Sequence, residues 1–431
     1  MSAIFREHPL RRQIAAELHA RSFEPLRAPE RVSHLAVMCS ESERDLHIEH
    51  LKELLAGFDH WVPETVAHHF SADLGPIRIR WEQHTECVTY TFSKQGPFTE
   101  PFAEPVLERL PEDWLRGLPG DVIAAVTMAI EPCDTPERSM DSLAALFDGN
   151  PVIGSAVVAG AARAWSDLRI HPDGFFRILV RDCSMSENQA GRLAKRMLDI
   201  NTYRALALLG LPLAREVSPV LGDADRRLAE LASRMSKQGA SSDANFESDL
   251  LGELTALASE IEDITARTTY RFDAARAYYG VVRQRLDQLR QQRIEGLQTF
   301  TEFLDSRLAP AIATCEAMQR RQSDLADRAA RVTSLLRARV EVSLAEQNGR
   351  LLESMDRRAK MQLRLQETVE GLSVIAIGYY GVGLVGYALK GAERAGLPFD
   401  ATIGMAISVP FVVGFTWLLL KRIKRRVTGA E

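Results

Sequence analysis

The chain has 431 residues, 46% of them hydrophobic and 26% charged, which is ordinary for folded protein and allows two or three domains. A net charge of -5 gives no basis for a nucleic-acid partner, and no long single-sign charge run occurs before the C-terminus. Five scattered cysteines without a CxxC pair exclude a disulfide framework and point to reduced thiols.

The opening "MSAIFREHPLRRQIAAEL" is charged and has no continuous apolar stretch, so no secretory leader is expected and the body should stay in the cytoplasm. "HPLRRQIAAELHAR" reads as a helix and "EPLRAPERV" as a proline-punctuated extended piece. "VSHLAVMC" reads as a strand, followed by a helix over "SERDLHIEHLKELLAGF". "PIRIRWEQ" and "ECVTYTFS" alternate apolar with polar residues, the mark of strands with one buried face. Further strands are expected at "DVIAAVTMAI", "PVIGSAVVAG", "RAWSDLRI" and "GFFRILVRD", with "HPDG" as a turn and a helix from about Ser186 to Leu209. Strands in hairpin succession with a few helices predict an α+β head over residues 1–215.

Beyond Leu213 no strand is expected. Leu250, Leu254, Leu257, Ile261 and Ile264 step by three and four, and the pattern resumes through Leu289 and Leu308. This predicts a helix of about 60 residues, interrupted at Pro310, with a second long helix after it. Residues 216–370 thus read as a long α-helical stalk, an antiparallel coiled hairpin broken near Pro310.

Two uncharged runs follow, Leu372–Leu389 with 18 residues and Ala401–Leu420 with 20, close to the roughly 20 needed to cross a bilayer as helices. They predict a C-terminal two-helix transmembrane hairpin over 371–424; the alternative is a hairpin buried in a soluble core. Gly378, Gly381, Gly383 and Gly386 in the first run and Gly404 in the second offer surfaces for close helix packing, and Pro410 is expected to bend its helix. Basic residues flank the runs on the outside, in "RRAKMQLRLQ" and "KRIKRR". Both termini are therefore expected in the cytoplasm of an inner (plasma) membrane, with the short link facing out.

Two clusters invite a chemical reading. Nine of the ten histidines lie at or before His84, and His47, His50, His68 and His69 are the candidates for a divalent metal, as in a metal-dependent enzyme. No HExxH accompanies them, and half-buried histidines without metal are the plain alternative. Arg11, Arg12, Arg21 and Arg31 lie among prolines and could meet an anion through bidentate contacts, or dock the segment on the sheet through acidic partners. No GxSxG, Walker-type or GxGxxG pattern is present, so no catalytic residue or cofactor is indicated.

The motifs HPLR, HAR and "PERVSHLA", then "SMDRRA", "LRLQETVEGLSV" and "YYGVGL", resemble a bacterial family of uncharacterised membrane-anchored proteins, a domain of unknown function, over essentially the whole chain. The resemblance implies membrane anchoring only and supplies no activity. The order of head, long helices, two spans and basic tail is also similar to the CorA-type magnesium channels, although "GYALKGAERAGLPF" lacks their Gly-Met-Asn triplet. It further looks like mitochondrial and fungal membrane-anchored proteins with a helical stalk, for which a scaffolding role is implied. The expected partners are therefore the lipid bilayer and a second copy or another membrane protein. The expected role is structural or interactive, with a CorA-like oligomeric cation channel as the alternative.

Overall fold

The computed structural model describes residues 7–11, 14–15, 23–63, 68–237, 244–395 and 400–428. They divide into two compact units, one of residues 1–239 with 252–333, the other of 240–251 with 334–431.

The first unit is built on one nine-stranded sheet. Its first quartet is β1 (Glu30–Met38), β2 (His69–Asp73), β3 (Arg78–Gln83) and β4 (Cys87–Gln95), with helix α1 (Arg44–Gly57) between β1 and β2. After a short helix α2 (Glu112–Arg116), the second quartet repeats the plan. It comprises β5 (Val122–Pro132), α3 (Met140–Leu146), β6 (Ile153–Val157), β7 (Ala162–Ile170) and β8 (Phe176–Asp182). In each quartet the last strand returns to pair with the first, giving the order β2-β3-β4-β1-β5-β8-β7-β6-β9, where β9 is Gln292–Arg293. The β5 and β8 pairing is parallel, and every other one is antiparallel. The predicted α+β class, and each strand expected between Val32 and Asp182, is present.

Period-two alternation decides what each face holds. On one face, Leu35, Val37, Ile79, Trp81, Tyr90 and Phe92 pack against α1 and Trp114. Trp81, Tyr90 and Phe92 are fully buried, and aromatic side chains of this kind each remove roughly 150–250 Å² from water. On the other face, Val126, Met128, Ile178 and Val180 meet α4 (Glu187–Leu208) through Leu193, Met197 and Ile200. A capping box starts α4: the Ser186 hydroxyl accepts from the Gln189 amide at 3.4 Å, and the Gln189 side chain accepts from the Ser186 amide at 2.9 Å.

Next come α5 (Gly210–Lys237), α6 (Ala244–Gln288), α7 (Phe300–Arg394) and α8 (Ala401–Thr428). Three expectations need correction here. The sheet-bearing unit extends well past residue 215, because Val282, Leu286, Phe300, Leu304, Leu308 and Ile312 join the same core as Val126 and Met197. No single helix crosses residues 289–299. The chain turns there with Arg290 at φ 53° and Gly296 at φ 80°, and β9 pairs with β6. The turn ends in a second capping box, with the Thr299 hydroxyl accepting from the Glu302 amide at 3.2 Å and the Glu302 carboxylate from the Thr299 amide at 3.0 Å. Pro310 breaks nothing: α7 runs through it, the exposed proline lying opposite buried Leu308, Ala311 and Ile312, whose packing outweighs the one missing donor. Within this unit α6 and α7 run antiparallel past one another: Gln322 donates to Thr268 at 2.8 Å and Arg276 to Gln319 at 2.8 Å.

In the second unit, the apolar part of α7 packs on α8 through small residues. A Cβ on Gly381 would meet Val412 at 2.7 Å, one on Gly386 would meet Met405 at 2.8 Å, and one on Gly404 would meet Leu389 at 3.1 Å. Gly378 lies against Val413 at 3.4 Å, whereas Gly383 has nothing within 4 Å. Gly381→Leu should therefore force the two helices apart at a cost of about 1–3 kcal/mol. Heat unfolding of the full chain, followed by circular dichroism, is expected to show an earlier transition. Gly383→Leu, placed in open space, should leave it unchanged.

Candidate functional site

The alternation that buries Ile79, Trp81, Tyr90 and Phe92 must turn their neighbours to the opposite face. Those neighbours are Arg78, Arg80 and Glu82 on β3, Thr89, Thr91 and Ser93 on β4, and His34 on β1. On a two-layer protein they would face water. Here α4 covers them, and the space between is a half-open cavity of about 230 Å³. Gly191 and Ala194 on α4 line that space, and Glu24 and Leu26 close one side.

The charges in the cavity form a chain of alternating sign. Arg80 donates to Glu82 at 2.9 Å, and Lys195 reaches both Glu82 oxygens at 2.9 and 3.1 Å. Lys195 also lies 3.4 Å from Asp199, whose second oxygen accepts from Arg285 at 2.9 Å. Arg78 pairs with the buried Glu30 and donates to the Pro25 carbonyl at 3.0 Å. Further along, Glu86 accepts two bonds from Arg271, at 2.7 and 3.0 Å, and one from the Tyr278 hydroxyl at 2.8 Å. Burial by itself would raise the Glu82 carboxyl, but the charges of Lys195 and Arg80 outweigh it and hold it at about 2. His34 sits between the Thr91 hydroxyl at 2.8 Å and the Thr202 hydroxyl at 3.0 Å. Burial, reinforced by Lys195, lowers its imidazole to about 3, so it is neutral at physiological pH.

This arrangement suits recognition more than proton transfer. Both ring nitrogens of His34 are engaged by threonines, and Lys195 is held by two carboxylates, so neither is poised as a base or nucleophile. What the cavity offers a ligand is directional donors and acceptors. Arg80 has a buried Nε without a hydrogen-bond partner, and the hydroxyls of Ser71 and Ser93 line the wall.

The residues singled out in the sequence are not brought together here. Arg31 is committed to Glu104, donating to its carbonyl at 3.0 Å and its carboxylate at 3.3 Å, and Arg11 pairs with Glu7 at 3.0 Å. Arg12 and Arg21 lie outside the described residues. His47 contacts the Tyr90 hydroxyl at 3.0 Å and His50 stacks on Trp114 at 4.4 Å, both on the α1 face. His68 contacts Gln83 at 3.3 Å, and His69 begins β2. Among the described residues no three His, Cys, Asp or Glu side chains group as a metal site. In the sequence the cavity residues read as solvent-facing, because polar positions on a strand ordinarily alternate with buried ones. The available signal was on α4: Lys195 and Asp199, one turn apart, sit beside the buried Ala194 and Leu198.

No curated protein matches the sequence. The sequence profile of a protein family of unknown function, DUF3422, matches residues 6–427, and the chain belongs to that family.

Proposed function

We propose that this protein is anchored in a lipid bilayer by Leu372–Leu389 of α7 and Ala401–Leu420 of α8, and that its sheet-bearing unit acts in the cytoplasm as a binding module, using the cavity around His34 and Lys195 for a small polar ligand. The observation that carries anchoring is the surface of the two helices. Leu372, Ile375, Tyr379, Leu384, Phe411 and Phe415 are each about two-thirds or more exposed. A contiguous apolar surface of that kind is too extensive for a soluble monomer and matches a hydrocarbon environment. Glu187–Lys237 is also apolar and long enough for a span, but α4 within it is packed on the sheet and carries the Lys195–Asp199 pair. The basic flanks favour cytoplasmic termini.

Alkaline carbonate washing of membranes from expressing cells is expected to leave the full chain in the pellet, with release only by detergent. Recovery in the wash would refute anchoring. A membrane-impermeant maleimide applied to spheroplasts should label Ala395→Cys and spare the native cysteines; the reverse pattern would invert the orientation. A second reading, an oligomeric cation channel of CorA-like layout, is favoured by one observation: α7 continues without a break into the first apolar run. Magnesium or cobalt flux in liposomes containing the protein tests it, and an absence of flux for both ions retires it.

A further inference from the structure

We propose that a second cavity in the sheet-bearing unit, bounded by β7, the end of α4 and the start of α7, binds an organic anion with an apolar body. Its volume is about 350 Å³, within the roughly 300–1,000 Å³ common for small-molecule sites. Three arginines from three elements, Arg169, Arg204 and Arg307, line it. Around the first cavity, by contrast, Arg78, Arg80 and Arg285 are each matched to a carboxylate. Among the described residues none of the three has an acidic side chain within ion-pair distance. Arg204 gives Nε and Nη2 to the Asn201 side chain at 3.2 and 3.0 Å and lies over the Phe176 ring at 4.3 Å, leaving Nη1 unused. Arg307 lies over the Phe303 ring at 3.8 Å and spends only Nη1, on the Phe303 carbonyl and Ser306.

One carboxylate, Asp167, also lines the space, but it is already occupied. Its oxygens accept from Asn150 at 2.9 Å and the Arg169 amide at 3.1 Å, and His171 Nε2 lies 3.0 Å away. Arg169 and Arg307 reach solvent, whereas half-buried Arg204 has, at a cost, no carboxylate partner for the part of its guanidinium withdrawn from water, and burial lowers it to about 10 despite the nearby Asp167 charge. A bound anion would remove that cost. The backbone gives an independent sign. Strand β7 is irregular between Ser166 and Ile170, and Leu168 takes φ 53°, a left-handed conformation unfavourable for a branched side chain. Bulges of this type re-aim side chains next to sites, and this one carries both Asp167 and Arg169.

The remaining lining defines the ligand's second half. Leu208, Leu304, Leu308 and Phe303 supply an apolar wall that an inorganic ion would leave unfilled, and a neutral hydrocarbon would leave the arginines unmatched. An aryl or short-chain alkyl group bearing a phosphate or carboxylate satisfies both.

The test is calorimetric titration of the full chain in nanodiscs with phenyl phosphate, benzoate, inorganic phosphate and phenol. Saturable binding of phenyl phosphate or benzoate, at least tenfold tighter than inorganic phosphate or phenol, is expected, and the tighter of the two identifies the head group. Arg307→Gln, an exposed substitution that leaves the core intact, should weaken binding about tenfold, as should Arg204→Gln. Ser71→Ala, an exposed change on the wall of the other cavity, should leave it unchanged, so failure here is separable from failure of the first site. Absence of saturable binding by both aryl anions, or full binding by Arg307→Gln, would overturn the proposal.

Discussion

Gly191→Val is expected to destabilise the sheet-bearing unit by about 3–5 kcal/mol, a large share of the 5–15 kcal/mol typical of a folded protein. Any Cβ at this position would lie 1.9 Å from the Glu24 carbonyl oxygen and 2.9 Å from its carbon, so backbone, not a flexible side chain, stands in the way. The segment over α4 would have to lift. Leu26, now 6% exposed, would return to water at roughly 1.5–3 kcal/mol. The bond from the Leu26 amide to the Glu187 carbonyl at 3.1 Å would be lost, as would the Arg192 contact over Phe23 at 4.8 Å. Because Glu24 and Leu26 also wall the first cavity, ligand capture there should fail with the fold locally opened. Urea unfolding of the solubilised chain, read by the fluorescence of buried Trp81, Trp114 and Trp165, measures the loss. Gly280→Ala on α6, where nothing lies within 4 Å, is the control and should raise stability slightly. Equal midpoints for Gly191→Val and wild type would show that the Glu24 segment does not rest on α4.

Element type proved easier to read than partnership. Periodicity located β1, β3 to β8 and both ends of α4 within about three residues, because each carries its own local pattern. The strand β2 was missed: His69, Ser71 and Asp73 leave only Phe70 and Ala72 to signal a half-buried edge. The turn before α7 was also overlooked, although Thr299 and Glu302 spell a capping box, because the apolar steps before and after it stayed in phase. The candidate sites were hidden for a different reason. Whether the polar face of β3 and β4 meets water or a helix depends on where α4 docks, a contact between residues more than a hundred positions apart, such as Glu82 and Lys195. Arg169, Arg204 and Arg307 belong to three elements, and no window of sequence contains them together. Topology likewise brings Cys133 and Cys183 next to each other, each following one member of the paired residues Pro132 and Asp182 at the ends of the parallel strands β5 and β8.

Acid should unfold the sheet-bearing unit in a way that isolates His34. Its imidazole titrates near 3 in the folded chain and near 6.5 once unfolded, so the unfolded state takes up the proton first. The stabilisation due to neutral His34 is complete above about pH 6.5 and is lost as pH falls toward 3, at about 1.4 kcal/mol per pH unit. Glu82 behaves in the same direction over a lower window. Held at about 2 when folded against 4.5 in its ordinary state, its contribution is intact above pH 4.5 and fades as pH approaches 2. Burial pushes His47 and His50 down as well, on the α1 face, and they steepen the same fall. The discriminating quantity is therefore the difference between wild type and His34→Gln, whose amide can still reach Thr91 and Thr202. Between pH 6.5 and 4.5 the variant's stability is expected to decline less steeply by one proton, about 1.4 kcal/mol per unit, in urea titrations at fixed ionic strength. Parallel slopes would mean that His34 takes up a proton inside the fold as readily as outside it. The imidazole would then have access to water, and the cavity between β1, β4 and α4 would be a hydrated cleft in which Lys195 and Glu82 are screened from each other.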